Sequence, residues 1–265
     1  MARAPTPLPE LAQPTMSEHD GVRYLHLGTP WVQGAMRIRK PNAIELEYVQ
    51  RMMACLLLRP AEVVDQGHAV QLGLGAGAIT RFCGNVMGLR TTAVEVNPDV
   101  ITICRVYFRL GPDSPALQAV PADAAAWVAD PRHAGTVDVL SVDLYDDDAA
   151  GPVHDSEAFY RQCHAALAEG GVMAVNLFGR HASFATSAAR IAAVFGTDSA
   201  ASLQPTREGN TIVIAVKGAA VPGREVLAAR AESLQDRFDL PAKKWLRMIR
   251  PMPGPRAAAA SAAAS

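Results

Sequence analysis

Residues 141–151, SVDLYDDDAAG, place Asp143, Asp146, Asp147 and Asp148 within six positions, directly after the apolar run VDVLSV. Carboxylates this close repel one another unless a cation or a proton lies between them. Asp143 is the last polar group in line with the run, and Asp146 stands three residues on. Two carboxylates at the lip of a pocket suit a cationic substrate, because they hold an ammonium group and accept its proton. Asp147 and Asp148 read as solvated residues of a surface loop.

Three other apolar runs end in groups of the same kind. QLGLGAG at 71–77 carries Gly73, Gly75 and Gly77, which let a backbone turn tightly against a ligand. Glu95 ends TTAVE, 18 residues after Gly77, where a carboxylate can accept both hydroxyls of a ribose. Asp123 in PADAAAWV is either a simple helix cap or an acceptor for the amino group of an adenine. The turn lacks the full dinucleotide spacing, and no phosphate-loop lysine is present. A nucleoside without pyrophosphate, S-adenosylmethionine or a relative of it, fits better than NAD.

These groups need a scaffold that brings strand ends together. Apolar runs at 68–74, 91–96, 117–122, 137–145 and 172–178 alternate with helical segments at 78–87, 98–108, 123–130, 155–171 and 182–195. Such alternation predicts an α/β, doubly wound, mostly parallel sheet with helices on both faces. Ligands of such sheets sit at the carboxyl ends of the strands, near the switch in strand order. Upstream, VRYLHLGTPWVQGAMRIR at 22–39 predicts a β-hairpin around Gly28-Thr29-Pro30, and 43–59 predicts a helix stopped by Pro60. The chain divides into a Pro-rich flexible arm (1–18), a small β element with its helix (19–60), a nucleoside-binding domain (61–250) and an Ala/Ser tail (251–265).

Composition narrows the classes further. Of 265 residues 49% are hydrophobic, enough for a substantial core, and 25 Lys+Arg against 26 Asp+Glu give a net charge of −1. That balance argues against a nucleic-acid partner. Cys55, Cys83, Cys104 and Cys163 form no close pair, so buried reduced thiols are expected rather than a metal site. No secretory signal or long apolar span is evident, which predicts a cytoplasmic enzyme without a membrane partner.

The segments QLGLGAGAITRF, AVEVNPDVI, PADAAAWV and VDVLSVDLYDDDAAGPVHDSEAFY, in this order, resemble the spermidine synthase (polyamine aminopropyltransferase) family over about residues 20–217. The resemblance implies a Rossmann-like fold of the S-adenosylmethionine-methyltransferase kind. It implies that Glu95 holds the ribose and that Asp123 with Ala124 holds the adenine. Asp143 is the implied proton acceptor, with Asp146 as its partner on the amine. Gln50 matches a polar position of the family's Y-[HQ]-E helix, which puts Val49 where a tyrosine belongs. Ala76 stands where the family's turn carries an acid that grips the donor's ammonium group. The implied co-substrate is decarboxylated S-adenosylmethionine or S-adenosylmethionine, without a prosthetic group; the implied partners are a small-molecule amine and a second copy of the chain. Two other readings stand beside aminopropyl transfer: a methyltransferase using the intact donor, and a non-catalytic nucleoside-binding protein.

Overall fold

The computed structural model describes residues 11–145, 154–178 and 181–252. Asp146, Asp147 and Asp148 lie outside the described residues, as do 1–10 of the expected arm and 253–265 of the expected tail.

The chain opens with a three-stranded antiparallel sheet of β1 (Pro14–His19), β2 (Val22–Leu27) and β3 (Gly34–Arg37). The β2–β3 hairpin is the expected one, with Leu25 opposite Gly34. β1 occupies residues expected to belong to the flexible arm. Its turn is Asp20-Gly21, with φ of 48° and 73°, and it sets His19 opposite Val22. Asp-Gly with positive φ at both positions is the two-residue turn whose twist matches a right-handed strand pair. That signal lay in the sequence, behind a run of prolines.

α1 (Glu47–Met52) is shorter than the predicted helix and tightens into a 3-10 stretch at Met53–Leu58, all six of whose residues are buried. There follow β4 (His68–Leu72), α2 (Ala78–Arg81), β5 (Arg90–Glu95), α3 (Pro98–Tyr107), β6 (Leu117–Pro121), α4 (Ala124–Ala129) and β7 (Val137–Val142). Pro98 opens α3, where its missing N–H costs nothing, and the Asn97 side chain caps it by accepting from the Asp99 N–H.

α5 (Glu157–Ala166) ends four residues before the expected Gly170-Gly171 stop, because Leu167 already pairs with Val137 as the first residue of β8 (Leu167–Phe178). The glycines sit inside β8, where the pairing register with β7 shifts between Val137 and Val139. A side chain at Gly171 would meet the Val137 carbonyl oxygen at 2.8 Å, so the pair marks a strand irregularity rather than a helix cap.

α6 (His181–Phe195) follows as expected, and β9 (Ala200–Leu203) and β10 (Asn210–Val216) come after it. The last part of the chain adds elements that the sequence analysis did not anticipate: α7 (Arg224–Phe238), α8 (Ala242–Trp245) and β11 (Ile249–Pro251). α7 buries Leu227, Ala231, Leu234 and Phe238, one helical stripe, in a core shared with residues 52–58 and Trp245. Pro251 closes β11 and Met252 is buried, so these two residues belong to the fold and not to the tail expected from 251.

The main sheet has the order β11-β9-β10-β8-β7-β4-β5-β6. β6, β5, β4, β7 and β8 run parallel, and β10, β9 and β11 add antiparallel. The chain leaves β4 for β5 on one side and later returns to pair β7 on the other, so the switch in strand order lies between β4 and β7. One face is covered by residues 52–58 with α7 and α8, the other by α4, α5 and α6. The N-terminal sheet is tied to the rim of this sandwich. Asn97 donates to the Ala12 carbonyl at 2.8 Å, and the fully buried Arg81 donates to the Pro41 carbonyl at 2.9 Å.

Candidate active site

A cavity of ≈ 880 Å³ opens at the carboxyl ends of the five parallel strands, beneath residues 25–33 of the N-terminal sheet. Gly73, Glu95, Asp123, Ala124 and Asp143 all line it. The strand-end residues singled out in the sequence, spread from Gly73 to Asp143, therefore meet in one space.

The glycine turn makes room for the neighbouring backbone. Gly73 has φ +84°, and a side chain on it would lie 2.1 Å from the Asp143 carbonyl oxygen. Gly75 has φ +49° and is covered by the Gln33 carbonyl, which a side chain would meet at 2.8 Å. Both positions exclude other residues on steric grounds. Gly77 precedes α2 and is not part of the cavity wall.

Glu95 is positioned by backbone donors. Its Oε2 accepts from the Leu74 N–H and its Oε1 from the Asn97 N–H, each at 2.9 Å. Burial raises its pKa above the usual carboxylate range, and these N–H groups pull it back. A carboxylate has about four acceptor positions, so each oxygen retains capacity toward the cavity. Asp123 is both cap and wall: its Oδ1 accepts from the Ala126 N–H at 2.8 Å, while its Oδ2 lies 3.1 Å from His154 Nε2. The His154 ring packs on Phe159 with centroids 5.3 Å apart.

Asp143 follows β7 and is held by side chains. Tyr48 donates its hydroxyl to Oδ2 at 3.2 Å, and Asn176 donates Nδ2 to Oδ1 at 2.8 Å. Burial pushes the Asp143 pKa up, against the pull of the Asn176 and Tyr48 hydrogen bonds. Burial, with the Asp143 charge beside it, pushes the Tyr48 hydroxyl far up, so Tyr48 stays a donor. Tyr145 spans the same wall, donating to the Asn176 carbonyl at 2.9 Å and accepting from the Phe178 N–H.

Two expectations are corrected here. Gln50 turns away from the cavity and donates to the Ile44 carbonyl at 2.7 Å. Tyr48 faces Asp143 instead, one helix position before Val49, which is a buried core residue. A helix presents its faces about 100° apart per residue, so an error of one or two positions changes which side chain enters the site. Ala76 is also not an open position on the main cavity: it is 2% exposed and packs beneath Gly34, on which a side chain would lie 2.6 Å from the Ala76 Cβ. It borders only a chamber of ≈ 20 Å³, also lined by Gln33, Tyr48 and Asp143, with room for about one water-sized group.

Tyr48, Asn176 and Asn210 were missed in the sequence. Tyr48 stood in a helix read for its apolar spacing and for Gln50, and the two asparagines lay in apolar strands. Among the described residues, no group of three or more His, Cys, Asp and Glu side chains is arranged to hold a metal ion. The four cysteines are buried and unpaired, and no described helix is long and apolar enough to cross a membrane.

No family model matches the sequence. Among solved structures, a probable spermidine synthase from Corynebacterium glutamicum superposes with a TM-score of 0.69 at 20% identity, covering 91% of this chain and 93% of that one. Human methyltransferase-like protein 13, in complex with SAH, superposes at 0.65 with 21% identity over 74% of this chain and 93% of its own. Both likenesses support the fold. A polyamine aminopropyltransferase of Chromobacterium violaceum is 30% identical over 227 residues, 85% of this chain and 84% of that protein. A relative named polyamine aminopropyltransferase of Neisseria meningitidis shows the same identity over the same share. With that identity over most of both chains, and with Glu95, Asp123 and Asp143 lining one cavity at the strand ends, the chain belongs to the polyamine aminopropyltransferase family.

Proposed function

We propose that this chain transfers an aminopropyl group from decarboxylated S-adenosylmethionine to a small-molecule amine. The observation that carries the reading is Asp143: a cavity-lining carboxylate with one oxygen on a tyrosine hydroxyl and the other on an amide N–H. In the proposed step the amine lone pair attacks the methylene carbon beside the sulfonium. The C–N bond forms, the C–S bond breaks, and its electron pair stays on sulfur, so methylthioadenosine leaves. The proton shed by the new ammonium passes to Asp143. Orientation and removal of that proton are the protein's contribution.

Glu95 is assigned to the ribose hydroxyls, and Asp123 with the backbone of Ala124 to the adenine. Asp146 is assigned to the amine beside Asp143. The chain is further read as a homodimer, as the family resemblance implies, and, from its composition, as a cytoplasmic enzyme with neither nucleic acid nor membrane as a partner; sedimentation at several protein concentrations tests the dimer. The methyltransferase alternative would need room for an intact donor's carboxylate at Ala76, the place of the family's acid. Packing of Gly34 against that alanine weakens it.

The test is a paired assay. The protein is incubated with an amine panel and either donor, and products are resolved by mass spectrometry. Methylthioadenosine together with an aminopropylated amine is expected from the decarboxylated donor. S-adenosylhomocysteine and a methylated product would replace the proposal with the methyltransferase reading. Tight methylthioadenosine binding by calorimetry without turnover of either donor would favour a non-catalytic role.

A further inference from the structure

Asp143 is the end of a longer chain of hydrogen bonds. Asn176 gives its Nδ2 to Asp143 and accepts on Oδ1 from Asn210 Nδ2 at 3.1 Å. Asn210 accepts in turn on its Oδ1 from the Thr206 hydroxyl at 3.4 Å, and that hydroxyl accepts from the Asn210 N–H at 3.2 Å. The bonds share one direction, from Thr206 through Asn210 and Asn176 to the carboxylate. Asn176, Asn210 and Thr206 are 4%, 8% and 6% exposed. β8 and β10 pair antiparallel with Asn210 opposite Phe178 and Ile212 opposite Asn176, which leaves the two asparagines as diagonal neighbours on one sheet face.

An amide is nearly symmetric in shape but not in chemistry. Turned over, Asn176 would aim its carbonyl oxygen at the Asp143 carboxylate, replacing attraction with repulsion. We infer that Asn210 is a positioning residue for the proton acceptor: its Nδ2 holds the Asn176 carbonyl away from Asp143, so that the Asn176 N–H stays on Oδ1. Asn210 need not touch the reacting atoms to do this. The inference deepens the proposed function and rests on Asp143 being the acceptor there; the hydrogen-bonded chain itself does not depend on the reaction.

Three side chains bear on Asp143 from different elements: Tyr48 from α1, Tyr145 beyond β7 and Asn176 from β8. The other titratable groups of the cavity wall are Glu47, Glu95, Asp123, His154 and Glu208. Removing the Asn176 donor removes a hydrogen bond that favours the ionised carboxylate, so Asp143 would hold its proton to higher pH.

The experiment is a double-mutant cycle of Asn210→Ala and Asn176→Ala, read by carbon-13 NMR titration of the Asp143 carboxyl, assigned by loss of its signal in Asp143→Asn. The pH profile of kcat/KM is recorded in parallel. Asn210→Ala should move the Asp143 midpoint and the acid limb of activity to higher pH, lowering kcat/KM about three- to tenfold on the acid side with little change in KM. In the Asn176→Ala background the same change should add nothing, because the intermediary is gone. If Asn210→Ala does not fold, Asn210→Asp, of similar size and without the donor, replaces it, with the Asn176→Ala background separating its charge from the lost hydrogen bond. An unchanged titration in a folded Asn210 variant, or an equal shift in both backgrounds, overturns the inference. A protein without aminopropyl transfer but with the expected NMR shifts would leave the positioning role standing and remove only the proposed reaction.

Discussion

The two ends of the cavity are built by different means. At one end, Glu95 and Asp123 accept from the backbone N–H groups of Leu74, Asn97 and Ala126, the first two in turns after parallel strands and the third in the first turn of α4. At the other end, Asp143 accepts from the side chains of Tyr48 and Asn176, 95 and 33 residues away in sequence. Backbone donors come with the fold whatever the neighbouring residue types are. Side-chain donors have to be chosen residue by residue. Under the proposed function, the first end is the one that can persist across proteins of one fold, and the second is the one that specifies the reaction. The two solved structures compared above, one a probable spermidine synthase and one a methyltransferase-like protein, share that fold at similar TM-scores.

The sharpest way to separate the ends is Asp143→Asn. An amide cannot take the proton, so turnover should fall about a hundredfold or more, while methylthioadenosine affinity by calorimetry stays within about threefold. A matched loss of affinity would erase the distinction between the two ends. The pH behaviour carries a sign. The Asp143 pKa is raised in the folded protein, so activity should rise as pH increases through that raised value. Stability should move the other way. The contribution from Asp143 is complete below the ordinary carboxylate range and is lost as pH rises to the raised value. Urea midpoints of the natural protein and Asp143→Asn across this window should diverge, with the natural protein losing ground.

Ala76→Asp tests the wall between the small chamber and Gly34. The added carboxylate has no room beneath Gly34, so a stability loss of about 1–3 kcal/mol is expected from overpacking. A folded, fully stable Ala76→Asp protein with tenfold preference for the decarboxylated donor would show that the chamber opens in solution. Glu95→Gln bears on the backbone-held end. It should weaken methylthioadenosine binding about tenfold, the worth of a charge-assisted contact to two hydroxyls, with kcat little changed. The smallest effect belongs to Gln50→Ala. Loss of its bond to the Ile44 carbonyl should cost roughly 0.5–1.5 kcal/mol of stability and leave amine KM within about twofold. A large rise in KM would return Gln50 to the substrate site.

Sequence patterns located the backbone-held end almost completely. Gly73, Glu95 and Asp123 each end or follow an apolar run, and their spacing is that of strand, turn and helix. Strand edges in a parallel sheet must converge, so the convergence could be inferred before any contact was known. α7 was as legible as any helix, with Leu227, Ala231, Leu234 and Phe238 at helical spacing, but nothing chemical drew attention to it. β1 was hidden by the opposite fault: its polar residues and flanking prolines suggested an arm, and only the Asp20-Gly21 turn betrayed the strand.

The sequence by itself determined the alternation of strands and helices from β4 to α6, the glycine turn, and the carboxylates that close β5, β6 and β7, because those follow from local periodicity and the conformational limits of single residues. The tertiary structure alone decided that Tyr48 and not Gln50 meets Asp143, that Gly34 fills the space over Ala76, and that Asn210 stands behind Asn176. Each of those facts is a contact between segments far apart in the chain. Such contacts depend on helix rotation and strand register, where a shift of one residue turns a side chain to a different face.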